Sequence, residues 1–183
     1  MRFVTALILA GASLLLAEGP DYTSDGKLVR PANYREWIFL SSGLGMNYGA
    51  ETKGDPLFTN VFVPPASYRA FNESGHWPEK TMFVLEIRQP SSHGSINKSG
   101  SYQSDLIGVE IEVKDSSRFP EKWAYFDFIV SPGKLRDAAA PIAHGSVCHT
   151  CHSTNGAVEN TFVQFYPTLI EVAQHFGTMK SGH

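Results

Sequence analysis

Both cysteines of the chain lie in one short segment, Cys148-His149-Thr150-Cys151-His152. The spacing C-x-x-C-H is the pattern of c-type haem attachment. Two thiols one helical turn apart can each add to one vinyl group of the same porphyrin, and the adjacent histidine then lies where it can coordinate the iron. The segment therefore predicts one covalently bound haem c per chain, held by Cys148 and Cys151, with His152 as the iron ligand.

Three other interpretations of this segment stay open. A structural zinc site needs four ligands, and with no second cysteine pair it would have to recruit histidines at positions 76, 93, 144 and 175. A redox-active C-x-x-C is typical of a βαβ context, which the strand pattern described below does not offer. A chance match is the third. The motif, the N-terminal segment described below and the presence of only two cysteines together favour haem.

The sixth coordination site of the iron is not assigned by any clear pattern. Electron-carrying cytochromes c often fill this site with a methionine or a second histidine. The candidates here are Met46, Met82, Met179, His76, His93, His144 and His175. None of them has a supporting pattern, and such histidines are more often surface or structural residues. We therefore expect an open or weakly filled sixth site.

The N-terminal segment has the pattern of a secretory signal peptide over residues 1–17. Met1-Arg2 is a short positive start, residues 3–17 are mostly apolar, and Glu18-Gly19-Pro20 is polar. This apolar stretch is shorter than the ~20 residues that a membrane-spanning helix needs. We expect an exported protein, periplasmic or in a comparable oxidising compartment, with no membrane span in its mature form.

The composition indicates one ordinary globular domain. The chain has 183 residues, 42% of them hydrophobic, with 15 Lys and Arg against 18 Asp and Glu. A formal net charge of −3 without a basic run argues against nucleic acid or an anionic membrane surface as a partner. A small molecule or another protein is the expected partner.

The middle of the chain is dominated by strand patterns, with one helix between two of the strands and a second helix after the last strand. Strands are predicted over 37–40, 59–63, 81–88, 106–114 and 122–130, because these segments alternate or are rich in β-branched and aromatic residues. Helices are predicted over 65–74 and 167–176. The segments 90–100 and 131–146 are predicted loops, the second with a helical turn at its alanines. The fold class is mainly β (α+β), an antiparallel sheet of about five strands with a few helices.

The alternation also assigns faces to two of these strands. Phe83, Leu85 and Ile87 share one face of their strand, and Glu86 lies on the other. In the strand over 106–114 the aliphatic residues lie opposite Glu110 and Glu112. That pattern predicts one solvent-exposed face of this strand, with both carboxylates solvated. For Glu86 we expect a structural hydrogen-bonding role or a place at a subunit contact.

Several motifs in a fixed order resemble a known family. They are Tyr34-Arg35-Glu36-Trp37, Gly75-His76-Trp77-Pro78, Lys114-Asp115-Ser116 with Arg118-Phe119, Trp123-Ala124, the late haem motif, and Phe165-Tyr166-Pro167. Together they resemble the cytochrome P-460 family from about Lys27 to Phe176. The resemblance implies a haem domain over 27–176, a mainly antiparallel sheet and a homodimer; residues 177–183 form a C-terminal tail.

The resemblance implies one of two functional kinds. In the cytochromes P-460 proper, a lysine just before the strand glutamate is bonded to the porphyrin, and the enzyme oxidises hydroxylamine. In the cytochromes c′-beta this bond is missing, and a five-coordinate haem binds nitric oxide or carbon monoxide. The residue just before Glu86 is Leu85, which has no amine. The nearest lysine, Lys80, starts about 16 Å away along a strand, so this chain is expected to be of the second kind.

The resemblance also implies which residues line the pocket. Leu85 and Phe83 share a strand face, and Phe62 on a neighbouring strand is expected to join them in a largely apolar distal pocket for a small gas ligand. Packing in the core alone is the alternative for this face. As other functions, the sequence leaves open a haem enzyme that oxidises hydroxylamine or nitric oxide or acts as a peroxidase, an electron carrier with a redox partner, and a structural haem protein. An enzyme needs an ionisable group near the distal face, for which His144 is the candidate.

Overall fold

A five-stranded antiparallel sheet forms the centre of the molecule. In the computed structural model, which describes residues 19–46 and 54–182, the strand order is β2-β3-β4-β5-β6. The strands are β2 (Ile38–Leu44), β3 (Phe58–Val63), β4 (Met82–Ser91), β5 (Tyr102–Lys114) and β6 (Trp123–Asp127). Strands that follow each other in sequence are neighbours in the sheet. The predicted mainly β fold is confirmed, whereas the predicted signal peptide lies outside the described residues.

Four shorter strands form two ribbons beside this sheet. Strand β1 (Leu28–Val29) pairs with β9 (Ala138–Ala139), and β7 (Ile129–Ser131) pairs with β8 (Lys134–Leu135). The helical turn predicted at the alanines is wrong, since these residues form β9. Pairing with a buried strand outweighs the helix propensity of alanine, which is only a weak preference.

Three α-helices accompany the sheet: α1 (Pro65–Ser74), α2 (Val147–Asn155) and α3 (Ile170–His175). Helix α1 has the predicted bounds, with a proline at its start and Gly75 in the left-handed conformation just after its end. Helix α3 begins three residues later than predicted because 167–169 form a turn. In the part of the chain that the structure describes, no helix is long and apolar enough to cross a membrane.

Both faces of the sheet carry a buried core. One core contains Met82, Val84 and the aliphatic side of β5, while the other contains Phe83 and Tyr125 with residues from α1 and α3. The prediction that the glutamate side of β5 is exposed to solvent is therefore wrong at Glu112, which is 7% exposed. Glu110 on the same side is exposed. His152 of α2 lies against the Glu112 carboxylate, a tertiary contact that alternation within one strand does not reveal.

Candidate functional site

Helix α2 carries the complete C-x-x-C-H motif. The helix begins after Ser146 and places Cys148 and Cys151 one turn apart, both as free, partly buried thiols. It lies against β6 through the ring of Tyr125, whose centroid is 4.7 Å from that of His149 and 4.5 Å from that of His152. One turn of helix therefore presents two thiols and an imidazole together.

The imidazole of His152 has a defined orientation. Its Nδ1 lies 2.9 Å from the carbonyl oxygen of Asn160 and 3.0 Å from Oε2 of Glu112. Its ring packs between Tyr125 and Phe162, with centroid distances of 4.5 Å to each. With Nδ1 donating to the Asn160 carbonyl, Nε2 is the nitrogen that remains for a metal ion.

Electrostatics at His152 are dominated by Glu112. Burial disfavours the charged imidazolium, but the negative charge of Glu112 and the hydrogen bond to the Asn160 carbonyl outweigh burial and raise the pKa of His152. The Glu112 carboxylate thus stabilises positive charge on the His152 ring or on a metal ion bound to that ring.

A short loop after α2 supplies the Asn160 carbonyl. Glu159 and Asn160 both adopt positive φ, 47° and 69°. The Glu159 carboxylate accepts a hydrogen bond from Lys114 Nζ at 2.5 Å and lies 2.7 Å from Nδ1 of His76. These contacts tie the loop to the end of β5 and to the segment after α1, which holds the strained backbone in place.

Gly156 allows this loop to pack against the end of α2. A Cβ at this position would lie 2.5 Å from the carbonyl carbon of Asn160 and 2.7 Å from the carbonyl oxygen of His152. Sequence reasoning did not single out Gly156, since a glycine after a helix is common and its contacts are formed only in the folded chain.

Leu85 lies on the sheet face that α2 covers. In the pairing register Leu85 is opposite Val61 on one side and Glu110 on the other. Directly paired residues of antiparallel strands share a face, as do residues two apart. Leu85 therefore shares its face with Glu112, whose carboxylate contacts His152. Phe83, paired with Glu112, lies on this face as well.

Phe62 lies on the opposite face of the sheet. It pairs with Val84, and its ring makes edge contacts with Tyr34 at 5.6 Å and Phe39 at 5.7 Å. The expectation that Phe62 joins Leu85 is therefore wrong, and Val61 takes that place. The face of a residue relative to the next strand depends on the pairing register, and a shift of one residue reverses it.

An ionisable side chain stands beside Leu85. Glu110 is exposed, and its pKa is raised by desolvation among the surrounding protein atoms and by the negative charge of Asp127. Asp127 is its register partner on β6. The face around Leu85 is thus partly hydrocarbon and partly carboxylate, rather than apolar throughout. The sequence pattern located Glu110 on a face but not beside Leu85.

Tyr125 is a site residue that sequence reasoning missed. It is 5% exposed, and among the described residues its hydroxyl has no hydrogen-bond partner. Burial and then the negative charge of Glu112 raise the pKa of Tyr125. A buried hydroxyl without a hydrogen bond reduces the stability of the fold. This hydroxyl lies where β6 contacts α2, the helix that carries both thiols. Two free thiols at helical spacing, an oriented imidazole and this hydroxyl fit a haem attached through α2.

Four of the other ligand candidates have defined surroundings. Met82 is buried in the core on the opposite face, and Met179 packs at the edge of the core that contains Phe83. His76 pairs with Glu159, and Nε2 of His144 lies 2.9 Å from Glu121. Over residues 19–46 and 54–182, no three His, Cys, Asp or Glu residues form a group that could hold a metal ion.

Glu86 has the structural role expected of it. Its buried carboxylate accepts hydrogen bonds from the hydroxyl of Tyr34 at 2.5 Å, Nε of Arg35 at 2.7 Å and Nε of Arg88 at 2.5 Å. Burial raises the pKa of this carboxyl, but the hydrogen bonds and the arginine charges outweigh burial and lower it to about 2.

Comparison with known proteins gives one family match. A search among curated proteins found no match. The family model described as Cytochrome P460 matches residues 31–163, which include the five strands of the sheet and the C-x-x-C-H motif.

Proposed function

The chain belongs to the cytochrome P460 family of haem proteins, and from this premise we propose that it is an exported mono-haem c-type cytochrome that binds a small gas ligand, nitric oxide or carbon monoxide. The observation that carries the proposal is the position of Leu85, which shares a sheet face with Glu112 and, through it, with His152. We further propose that the haem domain spans residues 27–176 and that the mature protein is a periplasmic homodimer.

The residues of α2 hold the haem in this proposal. Cys148 and Cys151 would form the two thioether bonds, and Nε2 of His152 would bind the iron. When bound, the haem would supply an iron atom that can take a diatomic ligand. Asn160 and Glu112 fix the imidazole ring, so its orientation is set before any ligand arrives.

Leu85 favours ligands that need no hydrogen bond. A hydrocarbon side chain gives no donor to bound dioxygen, whose iron complex is polar, whereas carbon monoxide and nitric oxide depend less on such help. Leu85 also has no amine for a bond to the porphyrin. Lys80 does not replace it, because its Nζ lies 2.5 Å from Asp115 and donates to Ser117 at 3.0 Å.

Absorption spectra of the matured protein test the proposal. The ferric and ferrous forms are recorded with and without nitric oxide or carbon monoxide, and haem is stained on a denaturing gel. We expect covalently retained haem and a ferrous spectrum that changes with either gas. The double variant Cys148→Ser/Cys151→Ser should lose the stain, while Ser153→Ala, an exposed change in the same helix, should keep it. A six-coordinate low-spin ferrous spectrum that ignores carbon monoxide contradicts gas binding.

A haem oxidoreductase is the second candidate, favoured by Glu110. Its carboxyl, with a raised pKa, stands beside Leu85 and is an ionisable group on the same face. It is a better-placed candidate than His144, whose Nε2 lies at Glu121. Turnover of hydroxylamine, nitric oxide or peroxide that is lost in Glu110→Gln would establish this function. Equal rates in wild type and Glu110→Gln would remove its support.

A further inference from the structure

The carboxylate of Glu112 is held close to His152 inside the protein. Oε2 lies 3.0 Å from Nδ1, and the residue is 7% exposed. Within the described part of the chain, no lysine or arginine lies within ion-pair distance of Glu112. The next cation along β5, Lys114, is paired with Glu159. His152 is therefore the group that faces this buried carboxylate.

A buried carboxylate without a cation is unfavourable unless positive charge lies close to it. The hydrogen bond of Nδ1 goes to the Asn160 carbonyl, which orients the ring but carries no net charge. Oε2 of Glu112 is buried and, among the described residues, accepts no hydrogen bond, so it acts on the ring through its charge at 3.0 Å. A carboxylate beside Nδ1 increases the electron density on the imidazole and makes Nε2 a stronger donor to a metal ion.

We propose that Glu112 is a positioning residue whose buried carboxylate, held beside Nδ1 of His152, makes this histidine an electron-rich iron ligand. Its negative charge stabilises ferric over ferrous iron and strengthens the iron–histidine bond. This inference rests on the proposed attachment of haem at His152. It adds a property that the C-x-x-C-H motif does not specify, because the carboxylate comes from β5 and reaches the ring through the fold.

The test compares holoprotein of wild type, Glu112→Gln and Glu73→Gln. Glutamine keeps the size of the side chain and removes its charge. Glu73→Gln is the control, since it removes the same charge from an exposed position on α1, away from the contacts of His152. The measurements are the iron–histidine stretching frequency of the ferrous protein by resonance Raman spectroscopy and the midpoint potential.

We expect Glu112→Gln to lower the stretching frequency and raise the midpoint potential, whereas Glu73→Gln keeps the wild-type frequency. A wild-type frequency in Glu112→Gln, or equal shifts in both variants, overturns the inference. Should Glu112→Gln yield no holoprotein, Glu112→Asp replaces it. The aspartate keeps the negative charge but, with one methylene fewer, holds it farther from Nδ1 of His152. A lowered frequency then supports the inference and an unchanged one overturns it.

Failure of this inference is distinguishable from failure of the proposed function. Haem content of the wild type is measured first, from its pyridine haemochrome spectrum. Wild-type protein without covalent haem overturns both. Haem-loaded protein in which the two glutamine variants behave alike overturns the role of Glu112 and leaves the haem assignment standing.

Discussion

Single side chains decide what the candidate site can do. Leu85 presents hydrocarbon rather than an amine, and its register partners place it on the face of Glu112. Tyr125 adds a buried hydroxyl without a partner in the described chain. In the proposed function, Leu85 thus cannot form a bond to the porphyrin, and Tyr125 keeps a polar group beside α2.

At this scale we expect Leu85→Lys to shift the protein toward the cross-linked kind. The position is half-buried, so a flexible lysine side chain can be accommodated with its amine on the α2 face. After maturation and treatment with oxidant, the ferrous Soret band should move strongly to the red. Leu85→Met, similar in volume but without an amine, is the control and should keep the wild-type band. An unchanged spectrum in Leu85→Lys would show that this position does not reach the haem.

The elements show what can and cannot be predicted from sequence. Helix α1 has its predicted bounds because Pro65 and Gly75 are local signals that need no knowledge of the rest of the chain. The faces of Phe62 and Glu110 depend on pairing between strands, which periodicity within a strand leaves undetermined. The motif in α2 predicts its own chemistry, whereas the carboxylate that contacts His152 belongs to β5.

The close packing of the loop after α2 predicts that a side chain at Gly156 destabilises the fold. We expect Gly156→Ala to displace Asn160, since the added Cβ would meet two backbone atoms that cannot rotate away. Such overpacking costs about 1–3 kcal/mol, measurable as a lower free energy of unfolding in urea. Ser153→Ala, an exposed change within α2, should cost less than about 0.5 kcal/mol. Equal stability of the two variants would contradict the tight packing of this loop.

At the scale of the molecule, Glu86 joins the N-terminal part of the domain to the sheet. Tyr34 and Arg35 belong to a short 3-10 helix before β2, and their hydrogen bonds end on a carboxylate of β4. Because the pKa of Glu86 falls from 4.5 to about 2 on folding, the ionised group favours the folded state. This contribution is fully present above about pH 4.5 and is lost as the pH falls toward 2.

The corresponding prediction concerns acid stability. The shift corresponds to about 3 kcal/mol, so Glu86→Gln should lower the free energy of unfolding near neutral pH and flatten its decline between pH 4.5 and 2. Urea unfolding at a series of pH values measures both effects. Glu73→Gln, an exposed change on α1, is the control and should keep the wild-type pH profile. A wild-type profile in Glu86→Gln would contradict this role of the network.

Helix α2, which carries the proposed haem attachment motif, lies against an edge strand of the sheet. Its partner β6 is the last strand in the order, and the motif follows all five strands in the sequence. Movement of α2 away from β6 would break the ring packing on Tyr125 and the two Nδ1 contacts of His152. The backbone hydrogen bonds between the strands would stay intact. Local opening of an element can cost less than global unfolding. For the proposed haem attachment, this means that the thiols can react after the sheet is complete, so folding of the sheet and loading of the haem are separable steps.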